Sequence, residues 1–283
     1  MSKNIIPMGV INITPNSFSD GNKYKDQDHL DSLTSSFLNF ENSWLDLGAE
    51  STAPFNDPIS DEQEWSRLSC FVEQNIETIN KFKTISIDTY KVATIRRFLE
   101  VFYPVIKSKI IWNDISGELS QVGKVLKDYP SLKYVFSHNL APTRELSSSH
   151  MDYVCENIIE SCLAKFQEAL SFFKNENIDS DRIYLDPCFG FSKTKEQNYE
   201  IIREFSKLKS LHNKWVIGVS RKSFLQNLSH SDNKAQRIKE SEYFHHALLV
   251  LFMEHKLEET IFRIHDLQVF QYALSAYSNF YKK

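Results

Sequence analysis

Eight short apolar runs alternating with eight longer amphipathic segments predict an α/β fold, a (β/α)8 TIM barrel, over the 283-residue chain. Two further observations support it. Only seven glycines and eight prolines occur, and Gly9, Gly48, Gly117, Gly190 and Gly218 lie in or beside the apolar runs, which leaves the long segments nearly glycine-free, as helices are. No long linker, low-complexity tract or short repeat divides the chain, so residues 1–283 read as a single domain. A doubly wound open sheet is the alternative that the same alternation permits.

The first run is Ile5 to Ile13, followed by a polar loop to Asp28 and a mixed segment to about Ser43. WLDL (44–47) is a short buried strand type. Asp61 to Phe82 has helical spacing, with Trp65, Leu68, Phe71, Val72 and Ile76 recurring every three or four residues as core positions. Ser60 or Asp61 suits its cap, and the early acids suit the positive end of the helix dipole. The strand runs that follow are TISID (84–88), IIWND (110–114), KYVFSH (133–138), RIYLD (182–186), WVIGVS (215–220) and TIFRIH (260–265). Helical segments fall at about 91–101, 119–128, 151–175, 195–209, 236–256 and 267–281.

Composition narrows the function classes. Hydrophobic residues at 41% and charged residues at 25% suit a globular chain with a large core. Lys+Arg 33 against Asp+Glu 37 gives −4, which carries no general signal for nucleic acid or acidic membranes. No apolar run reaches the roughly 18 residues of a membrane span, and the N-terminal residues do not read as a signal peptide. The four cysteines form no CxxC pair, so neither zinc nor a disulfide framework is expected, and a cytoplasmic location fits.

In a barrel, chemistry sits where strands end. That edge carries Asn12, Asp46, Glu50, Asp88, Asn113, Asp114, His138, Asp186, Ser220, Arg221, Lys222, Arg263 and His265. So many polar groups around one opening are tolerable only if they pair or face a ligand. Asp88, Asn113 and Asp186 match the edge of a flat amino-pyrimidinone heterocycle, while Arg221, Lys222, Arg263 and His265 match an anion such as phosphate. Arg263 and His265 are two apart on a strand and so should share a face, near Asn12 once the barrel closes. Plainer readings stand beside these: loop caps for Asp88 and Asp186, a neighbouring-strand bond for Asn113, a surface pair for Arg263 and His265. Glu50 reads as a group that shapes the second loop.

MGVINITPNSFSDG (8–21), GAEST (48–52), ISIDTYK (85–91), WNDISG (112–117), DPCFGFSKT (186–194), GVSRKSF (218–224) and FRIHD (262–266) resemble, in order and spacing, the motifs of the dihydropteroate synthase family. The resemblance covers residues 8 to 266 and implies a (β/α)8 fold. It implies condensation of 6-hydroxymethyl-7,8-dihydropterin diphosphate with p-aminobenzoate, releasing diphosphate, with magnesium as cofactor and a homodimer formed through the late helices. It places Asp88, Asn113, Asp186 and Lys222 on the pterin. Asn12, Arg263 and His265 fall on the diphosphate, with Asn12 also contacting magnesium. Thr52, Arg221 and Ser223 fall at the p-aminobenzoate, and Asn12, Lys222, Arg263 and His265 form the catalytic set.

The chain also departs from that pattern. The second loop reads ESTAPF where the family usually has ESTRPG, so Ala53 stands for an arginine and Phe55 for a glycine. Asn16 replaces an aspartate, Ser137, His138 and Asn139 replace a methionine–histidine–methionine stretch, and Cys188 and Ser192 replace glycines. A non-catalytic or altered-substrate pterin-binding paralogue is therefore the second reading. A folate-binding methyltransferase barrel is a third, opposed by the SRKSF and RxHD boxes. An open-sheet nucleotide enzyme lacks its GxGxxG or GxxxxGK[ST] loop.

Overall fold

The computed structural model describes residues 4–13, 23–40, 42–50, 58–143, 146, 149 and 151–281, with the backbone alone for 23–29. Asn16, Thr52, Ala53 and Phe55 lie outside them. Eight parallel strands close into a barrel in chain order: β1 (Ile5–Asn12), β2 (Trp44–Gly48), β3 (Thr84–Asp88), β4 (Lys109–Asp114), β5 (Lys133–Ser137), β6 (Ile183–Asp186), β7 (Lys214–Ile217) and β8 (Glu259–Ile264). Pairing of Ile5 with Thr260 through Gly9 with Ile264 closes the ring and excludes the open sheet.

Helices surround the barrel: α1 (Lys23–Phe37), α2 (Asp61–Ile79), α3 (Val92–Phe102), α4 (Val122–Asp128), α5 (Ile158–Asn175), α6 (Lys195–Arg203), α7 (Phe205–Leu208), α8 (Ser223–Gln226), α9 (Lys234–Met253) and α10 (Leu267–Phe280). Three boundaries differ from the sequence expectation, each for a local reason. The segment expected from 151 becomes α-helical only at Ile158, where the Asn157 side chain accepts from the Glu160 amide and caps the first turn. The segment 195–209 breaks at Glu204, whose φ of −100° ends one helix and opens the next. After β7 comes a single short turn of helix, α8, before α9 begins at an Asn233 cap.

Strand side chains alternate between faces. Outward residues such as Leu45, Ile87, Trp112, Phe136, Trp215 and Phe262 join the helices in one continuous core. Gly9 also faces outward, where a Cβ would meet the Phe37 ring at 3.0 Å, so α1 approaches β1 closely only because the residue is glycine. Inward residues Ile6, Met8, Trp44, Ile111, Val135, Tyr184, Val216 and Ile261 fill the lower barrel. Below them Lys133 donates to the Tyr184 hydroxyl (2.7 Å), which donates to Glu259, so the N-terminal end is closed by an internal polar network.

Candidate active site

Two residues further along each strand, the same inward parity reaches the mouth. Trp44 is followed on that face by Asp46, Ser86 by Asp88, Ile111 by Asn113, Val135 by Ser137, Tyr184 by Asp186 and Ile261 by Arg263. A layer of carboxylates, an amide and a guanidinium thus sits directly on an apolar floor. Two inward mouth positions are glycine and leave room. A Cβ on Gly48 would meet Asp88 Cβ at 3.4 Å, and one on Gly218 would meet Arg263 Cβ at 3.8 Å.

Asp88, Asn113, Asp186 and Lys222 come together at this end. Asp88 and Asn113 are register partners across β3 and β4. Asn113 is 1% exposed, and its Oδ1 has no hydrogen-bond partner among the described residues. A buried acceptor left unpaired costs about 1–3 kcal/mol, which a bound donor recovers. Asp186 Oδ1 accepts the Cys188 amide at 2.6 Å. Burial pushes the Asp186 carboxyl up, opposed by that amide and by Lys222 and Arg263. Burial also pushes the Lys222 ammonium down, with Arg263 acting in the same direction and Asp186 and Asp88 opposing. Lys222 Nζ lies 4.6 Å from the Phe191 ring centre, within cation–π range. Phe191 belongs to a small apolar cluster with Tyr90, Ile115 and Cys188, separate from the main core.

Arg263 sits deeper than the expected anion site. Its Nε donates to Asp46 Oδ2 at 2.6 Å and its Nη2 to Asp88 Oδ2, so one guanidinium is shared by two carboxylates. In the sequence Asp46 is one strand-end acid among several. An acid at an inward position of an otherwise apolar strand is the signal that marks it. Two carboxylates on one cation leave a net buried negative charge. Burial, opposed by Arg263 and reinforced by Asp46, pushes the Asp88 carboxyl up to about 7.

The remaining predicted residues spread around the rim. His265 lies just beyond β8 on the side of β7, where its Nδ1 is 3.1 Å from Ser220 Oγ. Burial, with Arg221 and Arg263 nearby, pushes its imidazole down to about 3, so it is neutral at ordinary pH. Asn12 is exposed at the end of β1. Arg221 adopts a left-handed φ of +59° and donates to Glu242 on α9 at 3.4 Å, away from the acidic cluster. Arg221 and His265 line a groove of about 420 Å³ between α1 and the start of α10. Ser223 is the exposed first residue of α8. Thr52 lies outside the described residues. Glu50 accepts the Tyr90 hydroxyl (2.8 Å) and the Lys91 ammonium, which also donates to the Ile59 carbonyl, so Lys91 ties together the two flanks of the second loop.

The loop after β6 carries two of the departures, both at positions whose backbone favours glycine. Cys188, Gly190 and Ser192 have φ of +54°, +84° and +51°. Only Gly190 adopts that region without steric cost; the two side chains cost about 1–2 kcal/mol each. Ser192 and Asn139, both departures from the family pattern, are bonded to each other, Oγ to Oδ1 at 2.9 Å. Asn139 also donates to the Ile115 carbonyl at 2.8 Å and so joins the loops after β4, β5 and β6. At Gly117, φ is +66° and a Cβ would meet the Ser137 and Asn139 carbonyls at 2.7 and 2.8 Å, so the β4 loop can lie against β5 only with glycine there.

A sequence model described as "Pterin binding enzyme" matches residues 8–258. A dihydropteroate synthase of Clostridium beijerinckii is 30% identical over 218 residues, covering 77% of this chain and 75% of the relative. A folate synthesis bifunctional protein of Arabidopsis thaliana is 30% identical over 253 residues, and there the match covers only half of the longer relative. Among solved structures, a dihydropteroate synthase of Clostridium difficile, determined in the presence of pteroic acid, superposes with a TM-score of 0.77. It is 25% identical and the match covers 99% of this chain and 98% of that one.

Proposed function

As a member of the pterin-binding enzyme family, and of the dihydropteroate synthases within it, the chain is a transferase of folate synthesis, and we propose how its residues divide the work. The substrates are 6-hydroxymethyl-7,8-dihydropterin diphosphate and p-aminobenzoate. The bond between the pterin methylene and the diphosphate oxygen breaks, the arylamine nitrogen bonds to that methylene, and the amine loses a proton. Diphosphate departs with the electron pair.

The observation that carries the reading is Asn113 Oδ1, buried with no hydrogen-bond partner among the described residues, at the same barrel mouth as Asp186 and Lys222 and above an apolar floor. Asp186 accepts from the pterin amidine edge, Asn113 accepts a ring donor, and Lys222 donates to the ring oxygen and nitrogen. Asp88 and Asp46 fix Arg263 in the mouth through Nη2 and Nε, and the guanidinium hydrogens they leave over donate to the diphosphate. His265 Nδ1 shares a hydrogen bond with Ser220 Oγ (3.1 Å), and the tautomer in which the Ser220 hydroxyl donates to Nδ1 would present Nε2–H to the diphosphate. Thr52, Arg221 and Ser223 complete the p-aminobenzoate end.

Magnesium fits as an ion carried by the substrate. Among the described residues no group of three or more His, Cys, Asp or Glu could hold a metal, and Asn12 offers one neutral oxygen at the exposed mouth. Asn12 would be the one residue of this set to hold magnesium, alongside oxygens of the substrate, and the ion would supply positive charge against the departing diphosphate. The single barrel would act in the cytoplasm as a homodimer. Exposed Tyr243 and Leu251 on α9 and Tyr272 and Phe280 on α10, two helices packed on each other, support that pairing.

The test is purified protein with both substrates and magnesium, with dihydropteroate and diphosphate measured separately. Formation of both in equal amounts is expected. Ala53 in place of the second-loop arginine favours one other reading, a pterin-binding paralogue, which predicts pterin affinity with neither product.

A further inference from the structure

Lys193 is 2% exposed, and among the described residues its ammonium bonds backbone carbonyls. Nζ donates to three backbone carbonyls: His138 at 2.8 Å, Phe191 at 2.8 Å and Cys188 at 3.2 Å. The first follows β5, and the other two belong to the loop after β6. That loop is the one with three left-handed residues in five, two of them bearing side chains. Such a backbone persists only where its surroundings over-determine it, and it concentrates at functional sites. Here the surroundings are the Lys193 bonds, the Asn198 side chain on the Gly190 amide (2.8 Å) and the Ser192–Asn139 bond. The loop in turn aims the Cys188 amide at Asp186 (2.6 Å) and sets Phe191 under Lys222.

We infer that Lys193 is a positioning residue for pterin recognition: by binding the carbonyls of His138, Cys188 and Phe191 it holds the left-handed loop that orients Asp186 and packs against Lys222. Lys193 touches no substrate. It spreads one buried cation over three carbonyls, which fixes both ends of the Cys188–Phe191 turn relative to β5. Without the ammonium the three carbonyls lose this donor, Cys188 keeping only the Phe191 amide (3.1 Å), and the strained residues can relax toward ordinary φ. The Cys188 amide then turns away from Asp186.

The inference rests on the pterin reading above, and its test separates the two. Affinity for 6-hydroxymethylpterin is measured by calorimetry in wild type, Lys193→Met, Cys188→Gly and the double variant, alongside urea unfolding of all four. Lys193→Met should weaken pterin binding about tenfold, equivalent to roughly 1.4 kcal/mol. It should raise KM for the pterin diphosphate while leaving KM for p-aminobenzoate within twofold. Cys188→Gly removes the penalty at φ +54°, so the loss on Lys193→Met should shrink to about threefold in that background. The urea midpoint should likewise fall less there than in wild type. If Lys193→Met does not fold, Lys193→Gln, which keeps a two-hydrogen donor, takes its place. Folded Lys193→Met with unchanged pterin affinity overturns the inference, as does an equal loss in both backgrounds. Wild type that fails to bind pterin sinks the pterin reading instead, and the unfolding cycle alone then decides the clamp: additive midpoint shifts refute it.

Discussion

Replacing Asp88 by asparagine probes the charge imbalance at the mouth. Arg263 is shared by Asp46 and Asp88, and the Asp88 carboxyl is pushed up from 3.8 to about 7, chiefly by burial. An acid whose pKa rises on folding holds its proton more tightly in the folded chain. Its contribution to stability is complete below about pH 4 and is lost as the pH climbs through about 7. At pH 5 the folded carboxyl is about two units below its pKa and the unfolded one is already ionised, a difference of about 2–3 kcal/mol at 1.36 kcal/mol per unit. By pH 8 it has vanished. Asparagine has nearly the shape of the protonated acid and does not titrate. Wild type and Asp88→Asn should therefore have similar unfolding free energies only near pH 4, and the variant's advantage should grow by about 2–3 kcal/mol between pH 5 and pH 8. Urea titrations of the substrate-free proteins at half-unit steps from pH 5 to 8 give the comparison, and taking the difference removes the titration of other groups. Parallel curves would refute the argument, since they would mean that Arg263 neutralises both carboxylates and Asp88 stays ionised throughout.

Asp46→Asn should move the midpoint of that wild-type pH transition downward, because the Asp46 charge is one cause of the raised Asp88 pKa; an unmoved midpoint in the same titration contradicts the coupling. Asp186→Asn removes the charged acceptor at the pterin edge and should cost about 1.5–3 kcal/mol of pterin binding by calorimetry, the scale of a charge-assisted hydrogen bond; unchanged affinity would deny Asp186 that role. Ala53→Arg should raise kcat/KM for p-aminobenzoate by up to about tenfold, one decade being about 1.4 kcal/mol of transition-state stabilisation. Equal turnover in the two proteins would show that the second loop works without the arginine.

The barrel and its mouth were legible because both follow from local rules. A strand's side chains alternate with period two, so an acid or amide two residues beyond an inward apolar residue must face the same interior. The strand-end rule placed Asp88, Asn113 and Asp186 at one opening, but also Asp114 and His138, which turn outward to Tyr134 and Ser161, and the order of the strands around the ring followed from their order in the chain. Partner choice is not local. Arg263 meets Asp46 and Asp88 across 217 and 175 residues, and only closure of β8 onto β1 brings the last strand within reach of the second and third. Read along the chain, Arg263 belonged with His265 as an anion pair; in the barrel one turns to the acids and the other to Ser220. Loop residues show the same divide. Asn139 and Ser192 stood as unrelated departures, and Lys193 as one cation among many. Their meaning lay in backbone that is left-handed at Cys188 and Ser192, a conformation imposed by packing the β5 and β6 loops together. Sequence determined which residues face the mouth, because alternation is written into the strand; the folded barrel decided which of them touch, because contact depends on closing a ring whose first and last strands are remote in the chain.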